Sequence, residues 1–186
     1  MKILLICGSA TRTSRTRGLI QAVERELRKR SDVELMSFDV GKDVLPLYDG
    51  SEAQAEDEAV KRLRSCAEQA DGFYICSPEY HAGMSGALKK TFDFLSGSHF
   101  RGKPVAISAA SGGSKGGVNA LNNMRTVLRG VYALVLPDQI IVDPDHFNEQ
   151  RELVNEEMQK RIQGIVDELC QYARSLAAGR QQQLQA

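Results

Sequence analysis

The chain has 186 residues, 42% of them hydrophobic, and its acidic and basic side chains balance to a formal net charge of zero. This length suits one well-buried domain, and the balanced charge gives no indication of binding to nucleic acid or to an anionic membrane surface. The apolar runs have the length of strands, so no membrane-spanning helix is predicted. The four cysteines lack the spacing of metal ligands and are interpreted as free thiols of a cytoplasmic protein.

Apolar runs of strand length alternate with longer amphipathic stretches along the chain. Consecutive apolar residues predict buried strands, and apolar residues recurring every three or four positions predict helices. The predicted elements, in chain order, are strand 2–7, helix 15–30, strand 33–38, helix 52–70, strand 72–76, helix 88–95, strand 104–110, helix 118–129, strand 133–142 that is either interrupted or extended at Pro137, and helix 149–176.

Five strands separated by helices predict an α/β fold, a parallel sheet with helices on both faces. Right-handed crossovers and the chain length favour a flavodoxin-like doubly wound sheet of five strands in the order 2-1-3-4-5. We expect residues 1–178 to form one domain and the polar segment 179–186 to be a disordered tail. Ligands of such sheets bind at the carboxyl ends of the strands, where the loops after strands one, three and four meet.

The loop after the first strand, residues 8–17, contains five hydroxyl side chains and three arginines. A helix N-terminus binds phosphate through its free amides, and arginine adds charge-assisted contacts. Helix capping is the simpler explanation, but it needs one hydroxyl rather than five. The loop lacks both the Lys-Ser/Thr ending of a P-loop and the GxGxxG pattern, which favours a phosphate monoester. The candidate ligands are Ser9, Arg12, Ser14, Arg15 and Thr16, and the sequence leaves open which arginine holds the phosphate.

The segment 76–89 combines a proline, an aromatic ring, two glycines and a hydroxyl between a strand and a helix. Pro78 stiffens this turn, and the amides of the next three residues are expected to face the polar edge of a flat ring. The candidate residues are Pro78, Glu79, Tyr80 and His81. For Tyr80 and His81, a surface turn or a subunit contact is the alternative.

The loop after the fourth strand, residues 111–117, contains four glycines. Glycine allows close approach of the backbone to a ligand, and successive amides can hold an anion. Ser111, Gly112 and Gly113 are therefore candidate site residues, while Lys115 is interpreted as a solvated side chain.

At these three loops the chain strongly resembles the NADPH-dependent FMN reductases, and within them the bacterial azobenzene reductases and their quinone- or chromate-reducing relatives. The resemblance covers roughly residues 2–175. It rests on Gly8-Ser9 with Ser14 and Thr16, on the run 77–89, on Gly112-Gly113 and on the run 116–125. Two positions depart from the family: many members have arginine at the position of Thr11 and asparagine at that of His81.

The resemblance implies a homodimer or homotetramer that binds FMN, and we expect the twelve candidate residues of the three loops to form its binding site. It also implies a ping-pong oxidoreductase that passes two electrons from NADPH or NADH to azo compounds, quinones or related small-molecule acceptors. No side chain is predicted to be catalytic and no metal is expected, because the cofactor supplies the chemistry. A flavodoxin-type electron carrier is the main alternative, although such carriers are typically strongly acidic. A phosphate-ester-binding regulatory module without flavin is a second one.

Overall fold

A computed structural model describes residues 1–113 and 116–185, with residues 180–185 as helical backbone. The strands are β1 (Lys2–Cys7), β2 (Glu34–Asp39), β3 (Gly72–Tyr80), β4 (Gly83–Met84), β5 (Pro104–Ala110) and β6 (Leu134–Val142). In this part of the chain, five parallel strands lie in the order β2-β1-β3-β5-β6, and the short β4 pairs antiparallel with β3. Counting the parallel strands alone, the predicted order 2-1-3-4-5 is confirmed.

Helices cover both faces of the sheet, as predicted. They are α1 (Arg15–Arg28), α2 (Glu58–Gln69), α3 (Gly86–Asp93), α4 (Gly97–Phe100), α5 (Val118–Gly130) and α6 (Glu156–Gln185). Buried side chains of α1 and α6 share one core cluster with Ile3 and Leu5 of β1, and those of α2 to α5 share the cluster on the other face of the sheet with Leu4 and Ile6. Consecutive side chains of a strand point to opposite faces, so a strand covered on both sides has to be apolar throughout.

Two helices begin later than predicted because polar residues cap them. Residues 52–56 form a separate 3₁₀ turn, and the Asp57 carboxylate then accepts the N–H groups of Ala59 and Val60 at 2.9 and 3.1 Å. The amide oxygen of Asn155 accepts the N–H of Met158 at 3.0 Å at the start of α6. Such caps satisfy amides that have no partner inside the helix.

Helix α6 extends to Gln185, past the predicted domain boundary at residue 178. The division into a domain of residues 1–178 and a disordered tail stays a prediction about the protein in solution. None of the helices in the described part of the chain is long and apolar enough to cross a bilayer.

Strand β3 is longer than predicted and ends in a hairpin. The sequence placed its end at Cys76, but Ser77 and Pro78 continue the parallel pairing with β5. Tyr80 then pairs with Gly83, which leaves His81 and Ala82 as a two-residue turn with φ angles of 49° and 61°. Two positive φ angles are the pattern of a type I′ turn, whose twist matches that of its flanking strands.

Strand β6 is extended through Pro137 rather than interrupted there, with an irregularity in its pairing. Val105 of β5 pairs with Val135, but Ile107 pairs with Gln139, so β6 carries extra residues at this point. Proline has no N–H to donate to a sheet, and it is therefore accommodated in such a bulge.

Candidate functional site

The loop after β1 is fixed to strand β3 at its first residue. The Gly8 N–H donates to the carbonyl of Cys76 at 2.8 Å, and the Ser85 hydroxyl donates to the Gly8 carbonyl. A Cβ atom at position 8 would lie 2.6 Å from the Cys76 oxygen, so only glycine permits this approach. The first two loops of the predicted site therefore start from a common anchor.

The N-terminus of α1 follows this loop and presents unsatisfied polar groups. Ser14 caps the helix, and its hydroxyl accepts the N–H of Arg17 at 3.3 Å. Ser9 and Thr16 are 0% and 1% exposed, yet their hydroxyls have no hydrogen-bond partner among the residues the structure describes. Capping thus accounts for Ser14 and leaves the hydroxyls of Ser9 and Thr16 available to a ligand or an ordered water.

A phosphate monoester fits these groups. Helix N-termini offer amide donors and a positive dipole end to an anion, and hydroxyls add further donors. Arg12 is exposed and Arg15 is partly exposed, and neither forms an ion pair within the described residues. Both guanidinium groups therefore have their charge available at this loop. Arg12 also lines a cleft beside the end of β2, together with Lys42.

Arg17 is a residue of this region that the sequence analysis did not select. Its guanidinium donates to the carbonyls of Thr11 and Ser9 at 2.8 and 2.9 Å. It also donates to both carboxylate oxygens of Asp39, the last residue of β2, one of them at 2.9 Å. The Asp39 carboxylate consequently raises the pKa of Arg17. The only signal in the sequence was a third arginine in the same loop.

The hairpin after β3 joins the first loop to the third. The Tyr80 side chain is 47% exposed, and its hydroxyl lies 3.4 Å from that of Thr11. One carboxylate oxygen of Glu79 accepts the N–H of Gly117 at 2.8 Å and that of Ala120 at 3.0 Å. Glu79 therefore caps α5 through its side chain, a contact that the sequence analysis did not predict. Pro78 is buried, and His81 is exposed at the turn.

The glycine-rich third loop is open at the residues predicted to face a ligand. Gly112 and Gly113 are exposed, and no described atom lies within 4 Å of the place where either would carry a Cβ. The buried Ser111 hydroxyl accepts the N–H of Gly113 at 2.9 Å and shapes this turn. Gly117 closes the loop with a φ of +100°. Ser114 and Lys115, including the predicted solvated lysine, lie outside the described residues.

The thiols near the site are structural. Burial raises the pKa of Cys7 and Cys76, which are register partners on β1 and β3, and it also raises the pKa of Cys170. A thiol is nucleophilic as a thiolate, so buried cysteines of raised pKa are inert. No group of three or more His, Cys, Asp or Glu side chains suited to a metal ion occurs in the described part of the chain.

The fold and this site define a flavodoxin-like α/β protein whose loop after β1, a candidate anion-binding loop, lies at the switch point of the sheet. The family model of the NADPH-dependent FMN reductases matches residues 1–147. An NADPH azoreductase of Bacillus sp. (strain OY1-2) is 42% identical over 92% of both chains. An FMN-dependent NADPH-azoreductase of Staphylococcus saprophyticus is 32% identical over 94% of this chain and 96% of the relative.

Among solved structures, the flavoenzyme NAD(P)H:(acceptor) oxidoreductase FerB of Paracoccus denitrificans is similar in fold. Its TM-score is 0.77 at 22% identity, covering 94% of this chain and 97% of FerB. The chain belongs to the NADPH-dependent FMN reductase family.

Proposed function

We propose that the protein is an FMN-dependent NADPH oxidoreductase that reduces azo compounds, quinones or related small molecules. The observation that carries this proposal is a pair of buried hydroxyls that have no partner among the described residues, that of Ser9 in the loop after β1 and that of Thr16 in the first turn of α1. FMN carries a phosphate monoester, the kind of group that these hydroxyls and the helix amides suit. Family membership and the similarity to the two NADPH azoreductases support the choice of FMN and NADPH.

The phosphate would be held by the first loop and the start of α1. The hydroxyls of Ser9, Ser14 and Thr16 supply hydrogen bonds, and Arg15 in the first helical turn supplies a positive charge close to the amides. Arg12 adds a second charge from the loop itself. Guanidinium and hydroxyl groups together favour a dianionic phosphate over a neutral ligand.

The flavin ring of FMN would lie between the hairpin of β3 and the glycine-rich loop. The Glu79 carboxylate joins these two segments by accepting the N–H groups of Gly117 and Ala120. Backbone N–H groups of these two segments would face the polar edge of the ring, and the open surface at Gly112 would give it room. Such amides would stabilise negative charge on the reduced ring. The residues proposed to contact the ring are Pro78, Glu79, Tyr80, His81, Ser111, Gly112 and Gly113.

Bound FMN supplies the redox chemistry, accepting a hydride from the nicotinamide and giving two electrons to the acceptor. The chain contributes binding and orientation, and it leaves one face of the ring accessible to both substrates in turn. We assign no catalytic side chain. An exposed ring face without a tailored acceptor pocket suits flat acceptors of several kinds.

We further propose that the protein is a cytoplasmic homodimer or homotetramer. Apolar side chains at the carboxyl edge of the sheet are about half exposed or more, among them Leu47, Tyr48, Tyr80 and Val118. Exposed apolar patches of this kind mark binding sites or subunit contacts. Light scattering coupled to size exclusion measures the assembly, and a monomer at micromolar concentration would contradict the proposal.

Anaerobic titration tests the function directly. FMN-loaded protein should lose its visible flavin absorbance on addition of NADPH alone and regain it on addition of a quinone or an azo dye. Parallel reactions with NADH measure the nicotinamide preference. Loaded protein that NADPH does not bleach, but that a separate reductase does, would establish the electron-carrier alternative. A protein that binds no flavin would favour the regulatory module.

A further inference from the structure

We propose that Arg17 is a positioning residue, which orients the phosphate-binding loop through its backbone, and that Asp39 controls it from the end of β2. This inference rests on the proposed FMN site and adds two residues to it that do not touch the cofactor. Its basis is a set of hydrogen bonds joining the ends of two neighbouring strands.

The guanidinium of Arg17 is already occupied. A guanidinium has five N–H donors, and in Arg17 they make four hydrogen bonds: two to backbone carbonyls and two to Asp39. A bidentate contact to phosphate needs two parallel donors. The single remaining N–H cannot provide that contact, so Arg17 acts on the loop rather than on the phosphate.

The two carbonyls that Arg17 binds belong to Ser9 and Thr11, on either side of Ala10. A carbonyl oxygen carries partial negative charge and repels an anion. In a trans peptide, the C=O of one residue and the N–H of the next point in opposite directions. Holding these carbonyls toward the guanidinium therefore presents the N–H groups of Ala10 and Arg12 on the other side of the loop, as an anion-binding loop requires.

Asp39 fixes Arg17 in this position. The side chains of both residues are only 17% exposed. The Asp39 carboxylate also accepts the N–H of Gly41 at 2.9 Å, which orients it toward the arginine. A Cβ atom at Gly41 would overlap the guanidinium, so the backbone of the turn after β2 lies directly against Arg17. The end of β2 thus determines the conformation of the loop after β1.

The positioning role and simple electrostatics predict opposite changes in FMN affinity when the Asp39 charge is removed. Asp39 is a negative charge beside an anion-binding loop, so its removal should strengthen FMN binding if charge alone matters. If Asp39 positions Arg17, its removal should weaken binding, because the Ser9 and Thr11 carbonyls are then free to turn toward the phosphate. The substitution Asp39→Asn separates the two explanations by direction alone.

The experiment compares the affinities of the apo protein for FMN and for riboflavin, which lacks the phosphate, by flavin fluorescence. Asp39→Asn and Arg17→Lys should each weaken FMN binding about tenfold and change riboflavin binding less than about twofold. Lysine keeps the charge, but its three donors lie on one nitrogen and cannot reproduce the four hydrogen bonds that the planar guanidinium makes from three nitrogens. Asp32→Asn is the matched control, because Asp32 precedes β2 and pairs with Arg174 at the opposite end of this strand from Asp39.

Several outcomes overturn the inference while leaving the proposed function intact. These are FMN binding that is unchanged or stronger in Asp39→Asn, wild-type affinity in Arg17→Lys, and equal losses for FMN and riboflavin. Far-UV circular dichroism and thermal melts of the apo variants identify any loss that comes from misfolding. A wild-type protein that binds neither flavin would instead overturn the proposed function and, with it, the role of Arg17.

Discussion

Replacing Thr16 by valine isolates one buried hydroxyl of the first loop, because the two side chains have nearly the same shape. The Thr16 hydroxyl is buried without a partner among the described residues. A buried hydroxyl that lacks a hydrogen bond destabilises the folded state by about 1–3 kcal/mol. Thr16→Val should therefore raise the free energy of unfolding of the apo protein by about that amount.

The same substitution should weaken FMN binding. A hydrogen bond to a charged group contributes about 1.5–3 kcal/mol, which corresponds to an affinity loss of roughly 10- to 100-fold. Stability and affinity thus change in opposite directions, an outcome that general damage to the fold does not produce. Urea unfolding of the apo protein measures the first quantity, and titration with FMN measures the second.

Thr91→Val is the matched control. Thr91 is equally buried, but its hydroxyl donates to the carbonyl of Ala87 at 3.0 Å. Losing this bond should lower the stability by about 0.5–1.5 kcal/mol and leave FMN affinity unchanged. If Thr16→Val destabilised the apo protein and bound FMN as tightly as wild type, the hydroxyl would have no role at the phosphate and the reasoning would be refuted.

Three further substitutions test the loops and the core. Glu79→Ala leaves the amides of the α5 N-terminus without their acceptor, so urea unfolding should show a free energy of unfolding that is about 1–2 kcal/mol lower. Glu79→Gln keeps an acceptor oxygen and should lower it less. Gly117→Ala places a Cβ 2.6 Å from Ile141 at a φ of +100°, so it should lower the free energy of unfolding by about 1–3 kcal/mol or more. Gly112→Ala adds a Cβ in open space and should leave the free energy of unfolding nearly unchanged. Burial raises the pKa of Cys76, so above its ordinary value of 9.0 the thiol ionises in the unfolded chain first and stability falls as the pH rises. Cys76→Ala should reduce that slope by about 1.4 kcal/mol per pH unit, and identical slopes would contradict the assignment.

The fold was predictable because its signals are local and repeated. Strands β1 and β5 are apolar at consecutive positions, and their bounds match the prediction. The loops with unusual composition follow the strands whose carboxyl ends meet, so topology alone brought them together. The bounds of β3 were not predictable, because the turn at His81-Ala82 uses positive φ angles without any glycine.

The contacts that hold the loops in place were beyond sequence reasoning. Arg17 meets Asp39 across 22 positions of the chain, and Glu79 meets the start of α5 across 38. A single sequence shows that such side chains are charged, but it does not show which distant amides or carbonyls they will reach. For the same reason, composition indicated a phosphate loop but did not distinguish the arginine that supports it from those beside it.

The turn of the β3–β4 hairpin restricts which amino acids position 81 can accept during evolution. A residue there has to adopt a left-handed backbone, which asparagine, aspartate and histidine do more readily than other residues with a side chain. The histidine of this chain meets this conformational requirement, as an asparagine or an aspartate would. Drift among such residues can vary the exposed side chain at the tip of the hairpin while preserving its turn, so this position is free to diverge between relatives without loss of the fold.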